Sequence, residues 1–278
     1  MSGTALAVAE GLLLAALAVI ATAWVLWPAA LALLAARRGP RAAARLPEDE
    51  LPVVAVLVPT LDEAAWIDAR LDDLARTDYP RDRLRVLVVD GGSRDDTAAR
   101  VRTRSERGER VELLALAGTR GKSEQVGAGL ARIGEELAIV TDADVRLPPE
   151  TIRRLVEALC ADPRLGAAGA WIAPATPLAE ERLHWALMIR LWRLEGDALG
   201  TALFSGVCYA LRTKAAEPPA PDAIADDAHL ALGLAARGWR VRLLLTAPAI
   251  ELRVPQTPRE VLAYRRRRGA AYLRELRR

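Results

Sequence analysis

Residues 11–36 carry no charged side chain and are filled by Leu, Ala, Val, Ile and Trp. The stretch exceeds the about 20 residues that a helix needs to cross a bilayer, so one N-terminal transmembrane helix is expected. After a polar linker over 37–50, with Gly39-Pro40 and Pro47, short continuous apolar runs alternate with amphipathic segments. Residues 53–58 are apolar throughout and rich in β-branched side chains, which reads as a buried strand. A helix follows with Trp66, Ile67, Leu71 and Leu74 on one face, then strand 84–89, helix 95–104, strand 111–116, helix 123–133 and strand 137–141. Continuous apolar strands separated by amphipathic helices predict an α/β fold whose mostly parallel sheet is covered on both faces. The second half is less regular. It offers helix 149–160, strand 167–173, a Trp-rich helix 180–199, strand 203–211, a Pro-rich loop, helix 226–237, strand 239–245 and a basic helix from Pro258 onward.

Composition sharpens this picture. The chain has 278 residues, 52% hydrophobic and 27% charged, which suits one packed domain with smaller segments at its ends. The expected division is an anchor and basic linker over 1–50, a catalytic domain over 51–255 and a basic amphipathic juxtamembrane tail over 256–278. Net charge is only +3, but arginines gather at Arg37, Arg38, Arg41 and Arg45 and again at Arg265 to Arg268. Both groups suit anionic lipid. Arginines just beyond the apolar run predict a cytoplasmic domain on the cell's inner membrane, with Trp24 and Trp27 near that interface and Pro28 kinking the last turns. Glu10 before the run, and positive charge only after it, favour a retained anchor over a cleaved signal. The basic runs lack the interleaved aromatics of a base-stacking platform, which argues against nucleic acid. Cys160 and Cys208 form no CxxC pair and the histidines are only His184 and His229, so neither a disulfide framework nor a zinc site is expected.

Acidic clusters stand where predicted strands end. In an open α/β sheet the loops at the carboxyl ends of the strands share one crevice, so distant carboxylates converge on one ligand. Asp142 and Asp144 follow strand 137–141, and two carboxylates at a strand end can grip Mg²⁺ or Mn²⁺, hard ions that complete their shell with substrate phosphates. A solvated turn before Pro148 is the plain alternative. Asp90 ends strand 84–89, with Gly91 and Gly92 leaving room for close approach; its carboxylate can accept from a base imide or a ribose hydroxyl, or simply sit in a βα turn with Asp95 or Asp96 as helix cap. Gly118-Thr-Arg-Gly-Lys-Ser123 is not a phosphate-binding P-loop, because the required first glycine falls at Leu116. Lys122 nevertheless stands in a chain whose only other lysine is Lys214, which suits a compact ammonium near a diphosphate. Asp226 and Asp227 open a helix, where one can cap and the other face the cleft as a general base of raised proton affinity.

In order along the chain, Val58-Pro-Thr-Leu-Asp-Glu63, Val89-Asp-Gly-Gly-Ser93, Gly121-Lys122, Thr141-Asp-Ala-Asp144, Phe204-Ser-Gly206 and Ala225-Asp-Asp-Ala-His-Leu230 resemble the motif series of family 2 inverting glycosyltransferases. The resemblance spans about 53–254. It implies a GT-A fold, a nucleoside diphosphate sugar donor (usually a UDP-sugar), a divalent metal and transfer to a lipid-linked or saccharide acceptor. By position it assigns Asp90 to the base, Asp142 to the ribose or sugar, Asp144 to the metal and Asp227 to deprotonation of the acceptor hydroxyl. Thr60, Glu63, Lys122 and Arg268 fall on the donor side, and Ser205, Gly206 and Asp226 on the acceptor side. The side chains of Asp90, Asp142, Asp144 and Asp227 are accordingly expected in one pocket.

The sequence departs mildly from the pattern at Asp62, Gly91 and Asp226, where the family often has Asn, Asp and Glu. Members resembling cellulose and hyaluronan synthases carry QxxRW after the catalytic acid and continue into further membrane helices. Here Arg265-Arg-Arg-Arg268-Gly269 has no tryptophan, which argues against processive synthesis, and the sequence stops at Arg278. Helix 180–199, with Trp185, Leu187, Met188, Leu191 and Trp192, either lies on the leaflet beside the basic tail helix or packs into the core. The competing enzyme class is a haloacid-dehalogenase-like phosphatase with Asp142 as nucleophile and Asp144 as acid, although Arg146 and the α/β half before the motif are atypical of it. A catalytically silent membrane scaffold is a third class.

Overall fold

The computed structural model describes residues 3–38, 43–118, 121–220, 223 and 225–275. Gly39, Pro40 and Arg41 of the linker, and Thr119 and Arg120 of the glycine-rich segment, lie outside the described residues.

The apolar N-terminus is helical, as α1 (Gly3–Ala21) and α2 (Trp27–Arg38) joined by a π turn over Thr22–Leu26. Pro28 has no N–H to give to the preceding turn. The helix widens just before it, where the Trp27 N–H reaches back to the Thr22 carbonyl. The stretch Ala7–Arg37 is long and apolar enough to cross a membrane, and its most apolar part is unburied. In its second half the helix meets the rest of the chain, where fully buried Leu31 packs with Leu194 and Ala198.

The remaining strands build one eight-stranded mixed sheet in the order β3-β2-β1-β4-β7-β6-β8-β5. The predicted parallel half is realised by β1 (Val54–Thr60), β2 (Leu84–Asp90), β3 (Val111–Ala115) and β4 (Leu137–Thr141). Between them run α3 (Ile67–Ala75), α4 (Thr97–Glu106) and α5 (Lys122–Arg132). Every residue of β1 and β4 is buried, which explains their unbroken apolar character. Beyond β4 come β7 (Cys208–Arg212), β6 (Leu165–Pro174), β8 (Arg240–Glu251) and β5 (Val145–Arg146). β7 and β5 run against the other strands. Helices α6 (Thr151–Ala161), α7 (Ala179–Leu199), α8 (Asp226–Ala236) and α9 (Pro258–Glu275) complete this half.

Two strand boundaries shift by more than two residues from expectation, and the short β5 is not foreseen. The expected strand 203–211 starts only at Cys208, because the backbone of Gly206 bonds to side chains of the site instead of a neighbouring strand. The expected strand 239–245 continues to Glu251. Pro248 interrupts the apolar pattern, but the chain bulges there: Ala170 pairs with Leu244, and the next residue, Trp171, pairs with Pro248. Of the two alternatives for the Trp-rich helix, core packing is the one realised. Trp185, Ile189 and Trp192 of α7 enter the core, whereas Leu183 and Leu187 remain exposed.

Candidate active site

The β1–β2 register sets Thr60 opposite Asp90 at the carboxyl ends of both strands. Asp90 is buried; its carboxylate accepts the N–H groups of Gly92 and Ser93 at 3.2 and 3.1 Å, the Ser93 hydroxyl, and the Thr60 hydroxyl at 3.4 Å. The carbonyl of Thr60 is held by Gln125 Nε2 at 2.8 Å. Asp62 adopts a left-handed φ of 57°, and its Oδ1 accepts the Arg94 N–H at 2.8 Å, tying the loop after β1 to the loop after β2. Asp96 stands at the N-cap of α4 without a side-chain bond, and it is the preceding Asp95 that accepts the Thr97 N–H at 3.0 Å.

Lys122, the first residue of α5, organises the next group. Its Nζ lies 2.6 Å from Asp142 Oδ1 and 3.9 Å from Asp226 Oδ2, and donates to the Gly206 carbonyl at 2.7 Å. Burial pulls its proton affinity down, but Asp142, Asp226 and Asp227 outweigh this and hold it above the ordinary lysine value. The ammonium therefore stays charged. The Gly206 N–H donates to Asp227 Oδ2 at 2.9 Å, and Asp227 Oδ1 accepts the Ala228 N–H at 2.8 Å, so both carboxylate oxygens are oriented. A side chain at Gly206 would bring its Cβ to 3.1 Å from Lys122 Nζ. The raised proton affinity expected in this acidic pair appears on Asp226. Burial pushes its carboxyl up against the pull of Lys122, with Asp227 and Asp142 adding to the rise, and Asp226 Oδ2 has no hydrogen-bond partner.

These residues surround a cavity of about 290 Å³, lined by Lys122, Asp142, Ser205, Gly206, Asp226, Asp227 and Glu251 and closed by Tyr264, Arg268 and Tyr272 of α9. Arg268 lies with its guanidinium carbon 5.2 Å from the Trp185 ring centre and 5.3 Å from that of Tyr264, and its Nη2 is 4.0 Å from Asp227 Oδ2. A second cavity of about 310 Å³ shares Tyr264, Arg268 and Tyr272 and runs between α7 and α9 along His184, Trp185, Met188 and Trp192.

Of the four aspartates expected in one pocket, two line this cavity: Asp142 and Asp227 do, but Asp90 and Asp144 do not. Asp90 is held back by its own turn, and Asp144 Oδ2 lies 3.2 Å from Arg253 Nε, while Arg253 Nη2 donates to Glu63. Thr60 and Glu63 likewise stand outside the cavity walls, farther along the same row of strand ends. Burial raises the carboxyl of Glu63 despite Arg253. Burial and then Asp142 raise that of Asp144, also against Arg253.

The apolar pattern of the sequence does not lead to Glu251 and Arg253, because Pro248 interrupts it at the β8 bulge. The signal for them was Ala249-Ile250 resuming the apolar pattern just before two charged side chains. Burial foremost, with Asp142 and Asp144, pushes the Glu251 carboxyl up to about 7, and its Oε2 has no partner. Among the described residues no group of three or more His, Cys, Asp or Glu is arranged to hold a metal by itself. The oxygen-only donors Asp144 and Glu251, with an unpartnered oxygen, fit an ion that takes its remaining ligands from a diphosphate.

The model of a family described as glycosyl transferase family 2 matches residues 55–217. The probable glycosyltransferase YdaM of Bacillus subtilis is 28% identical over 211 residues, 71% of this chain and 50% of its own length. An undecaprenyl-phosphate 4-deoxy-4-formamido-L-arabinose transferase of Edwardsiella ictaluri is 35% identical over 107 residues, 38% of this chain and 33% of its own. The chain thus spans half or less of these curated relatives. Among solved structures, the mannosyltransferase PcManGT of Pyrobaculum calidifontis, in complex with GDP-Man and Mn²⁺, has a TM-score of 0.72 at 28% identity, over 94% of this chain and 73% of its own. S. aureus TarS in complex with UDP-GlcNAc, at 17% identity and a TM-score of 0.56 over 73% of this chain and 59% of its own, shares the fold.

Proposed function

The chain belongs to glycosyl transferase family 2, and from that membership we propose that it moves a sugar from a nucleoside diphosphate sugar to an acceptor at the inner face of the cytoplasmic membrane, inverting the anomeric carbon. The observation that carries this reading is the convergence of Asp142, Asp227 and Lys122, from three separate elements, on one cavity. Family membership leaves the phosphatase reading of Asp142 and Asp144 without support.

In a single displacement the acceptor oxygen attacks while diphosphate leaves from the opposite face, so one base and one electrophilic clamp suffice. Asp227, oriented by two backbone N–H groups, takes the acceptor proton. Asp90 and Thr60 receive the base and ribose end of the donor, and Asp142 the ribose or sugar. Lys122 and Arg268 supply fixed positive charge where the diphosphate departs. Mg²⁺ or Mn²⁺, held by Asp144 with Glu251, supplies further charge neutralisation when bound. PcManGT holds GDP-Man and TarS holds UDP-GlcNAc, so both nucleotides are candidates beside the UDP-sugar that the motifs imply. Ser205, Gly206 and Asp226 form the acceptor wall. The aromatic groove between α7 and α9 and the apolar helix Ala7–Arg37 favour a lipid-linked acceptor.

Calorimetry with GDP and UDP, each with and without Mn²⁺, is expected to show Mn²⁺-dependent binding of at least one; binding of neither refutes the reading. With a competent donor, Asp227→Asn is expected to keep nucleotide binding while losing about 10²- to 10⁴-fold in transfer, read by released nucleoside diphosphate.

A further inference from the structure

Arg70, in α3, has a fully buried side chain. Its Nη1 donates to the Val145 carbonyl at 3.0 Å, the shorter and more buried of two such bonds beside that from Arg146 Nη1 at 3.3 Å, whereas Nε and Nη2 find no partner. A guanidinium sealed from water without a contacting carboxylate is expensive to keep. Burial lowers its pKa to about 10, so it remains charged at neutral pH. The carbonyl it holds has a special place. Val145 directly follows Asp144, opens β5 and pairs with Glu251 of β8. One hydrogen bond therefore reaches the turn that carries Asp142 and Asp144 and the strand pairing that brings Glu251 beside them.

We propose that Arg70 is a positioning residue for divalent-cation binding, anchoring the Val145 carbonyl so that Asp144 and Glu251 face one ion. The inference rests on the proposed function and goes beyond it, because Arg70 touches neither donor nor acceptor. Outer groups that orient ligands typically matter 10- to 100-fold in metal affinity. The geometry also fixes the sign of the effect. If the guanidinium acted only through its charge, removing it would tighten cation binding; if it acts by anchoring the turn, removing it weakens binding.

The test is a Mn²⁺ titration of the purified full chain at a saturating nucleoside diphosphate, with free Mn²⁺ followed by electron paramagnetic resonance. Wild-type protein that binds no Mn²⁺ would refute the functional reading itself. Given wild-type binding, Arg70→Met is expected to weaken Mn²⁺ affinity about 10- to 100-fold, with kcat largely restored at saturating Mn²⁺. Arg70→Lys, which keeps one donor in reach, is expected to recover part of the loss. Leu159→Ala, a buried change in α6, serves as the stability control and should lower Tm without moving Mn²⁺ affinity. Unchanged or tighter Mn²⁺ binding in Arg70→Met, or no recovery in Arg70→Lys, overturns the proposal. Should Arg70→Met fail to fold, Arg70→Lys alone decides: a several-fold loss supports the anchor, and wild-type affinity overturns it.

Discussion

The ammonium of Lys122 lies 2.6 Å from the carboxylate of Asp142, although one residue begins α5 and the other follows β4. The same ammonium holds the Gly206 carbonyl, and through Gly206 the orientation of Asp227 depends on it. The proposed donor and acceptor sides thus meet on a single charge. Lys122→Met leaves Asp142 and Asp226 without their counter-charge. The expected result is a loss of about 1–3 kcal/mol in stability by denaturant titration, together with weakened nucleotide binding by calorimetry. Unchanged nucleotide affinity would remove Lys122 from the donor site.

Glu251 gives the site a defined pH response. Its carboxyl binds a proton more tightly folded, up to about 7, than in the unfolded chain, near 4.3. A raised acid costs stability above its folded pKa, and the cost fades as pH falls from 7 towards the unfolded value. Glu251→Gln, measured with a chelator present, is therefore expected to exceed wild type by about 1–3 kcal/mol at pH 8 and to match it near pH 4. A gain independent of pH between 4 and 8 would refute the titration.

Gly169 of β6 faces Phe204, which immediately precedes the Ser205-Gly206 loop. A Cβ at Gly169 would lie 2.2 Å from Phe204 Cβ. Gly169→Ala is expected to cost about 1–3 kcal/mol through overpacking and to lower turnover more than nucleotide binding, since the displaced loop orients Asp227. Because the clash falls on Phe204 Cβ, which only glycine lacks, adding Phe204→Gly should cost less than the sum of the single changes. Simple additivity in thermal melts would show that the loop is not pushed.

The sequence by itself determined the apolar N-terminal helix, the parallel half of the sheet and the chemistry of its strand ends. These are written in local periodicity, because a strand buried on both faces must be apolar throughout and its following loop must carry the polar groups. Asp90 and Asp142 were legible for that reason, Lys122 through the scarcity of lysine, and Thr60 only through the family resemblance. Where each acid faces was decided only by tertiary structure. Arg253 pairs with Asp144 at the edge of the cavity that Asp142 and Asp227 line. The β8 bulge carries Glu251 to the site past a proline that ends the apolar pattern. α9 folds back over α7 to bring Arg268 near Asp227. Each of these depends on strand register or on helix packing between segments distant in the chain, and local side-chain spacing encodes neither.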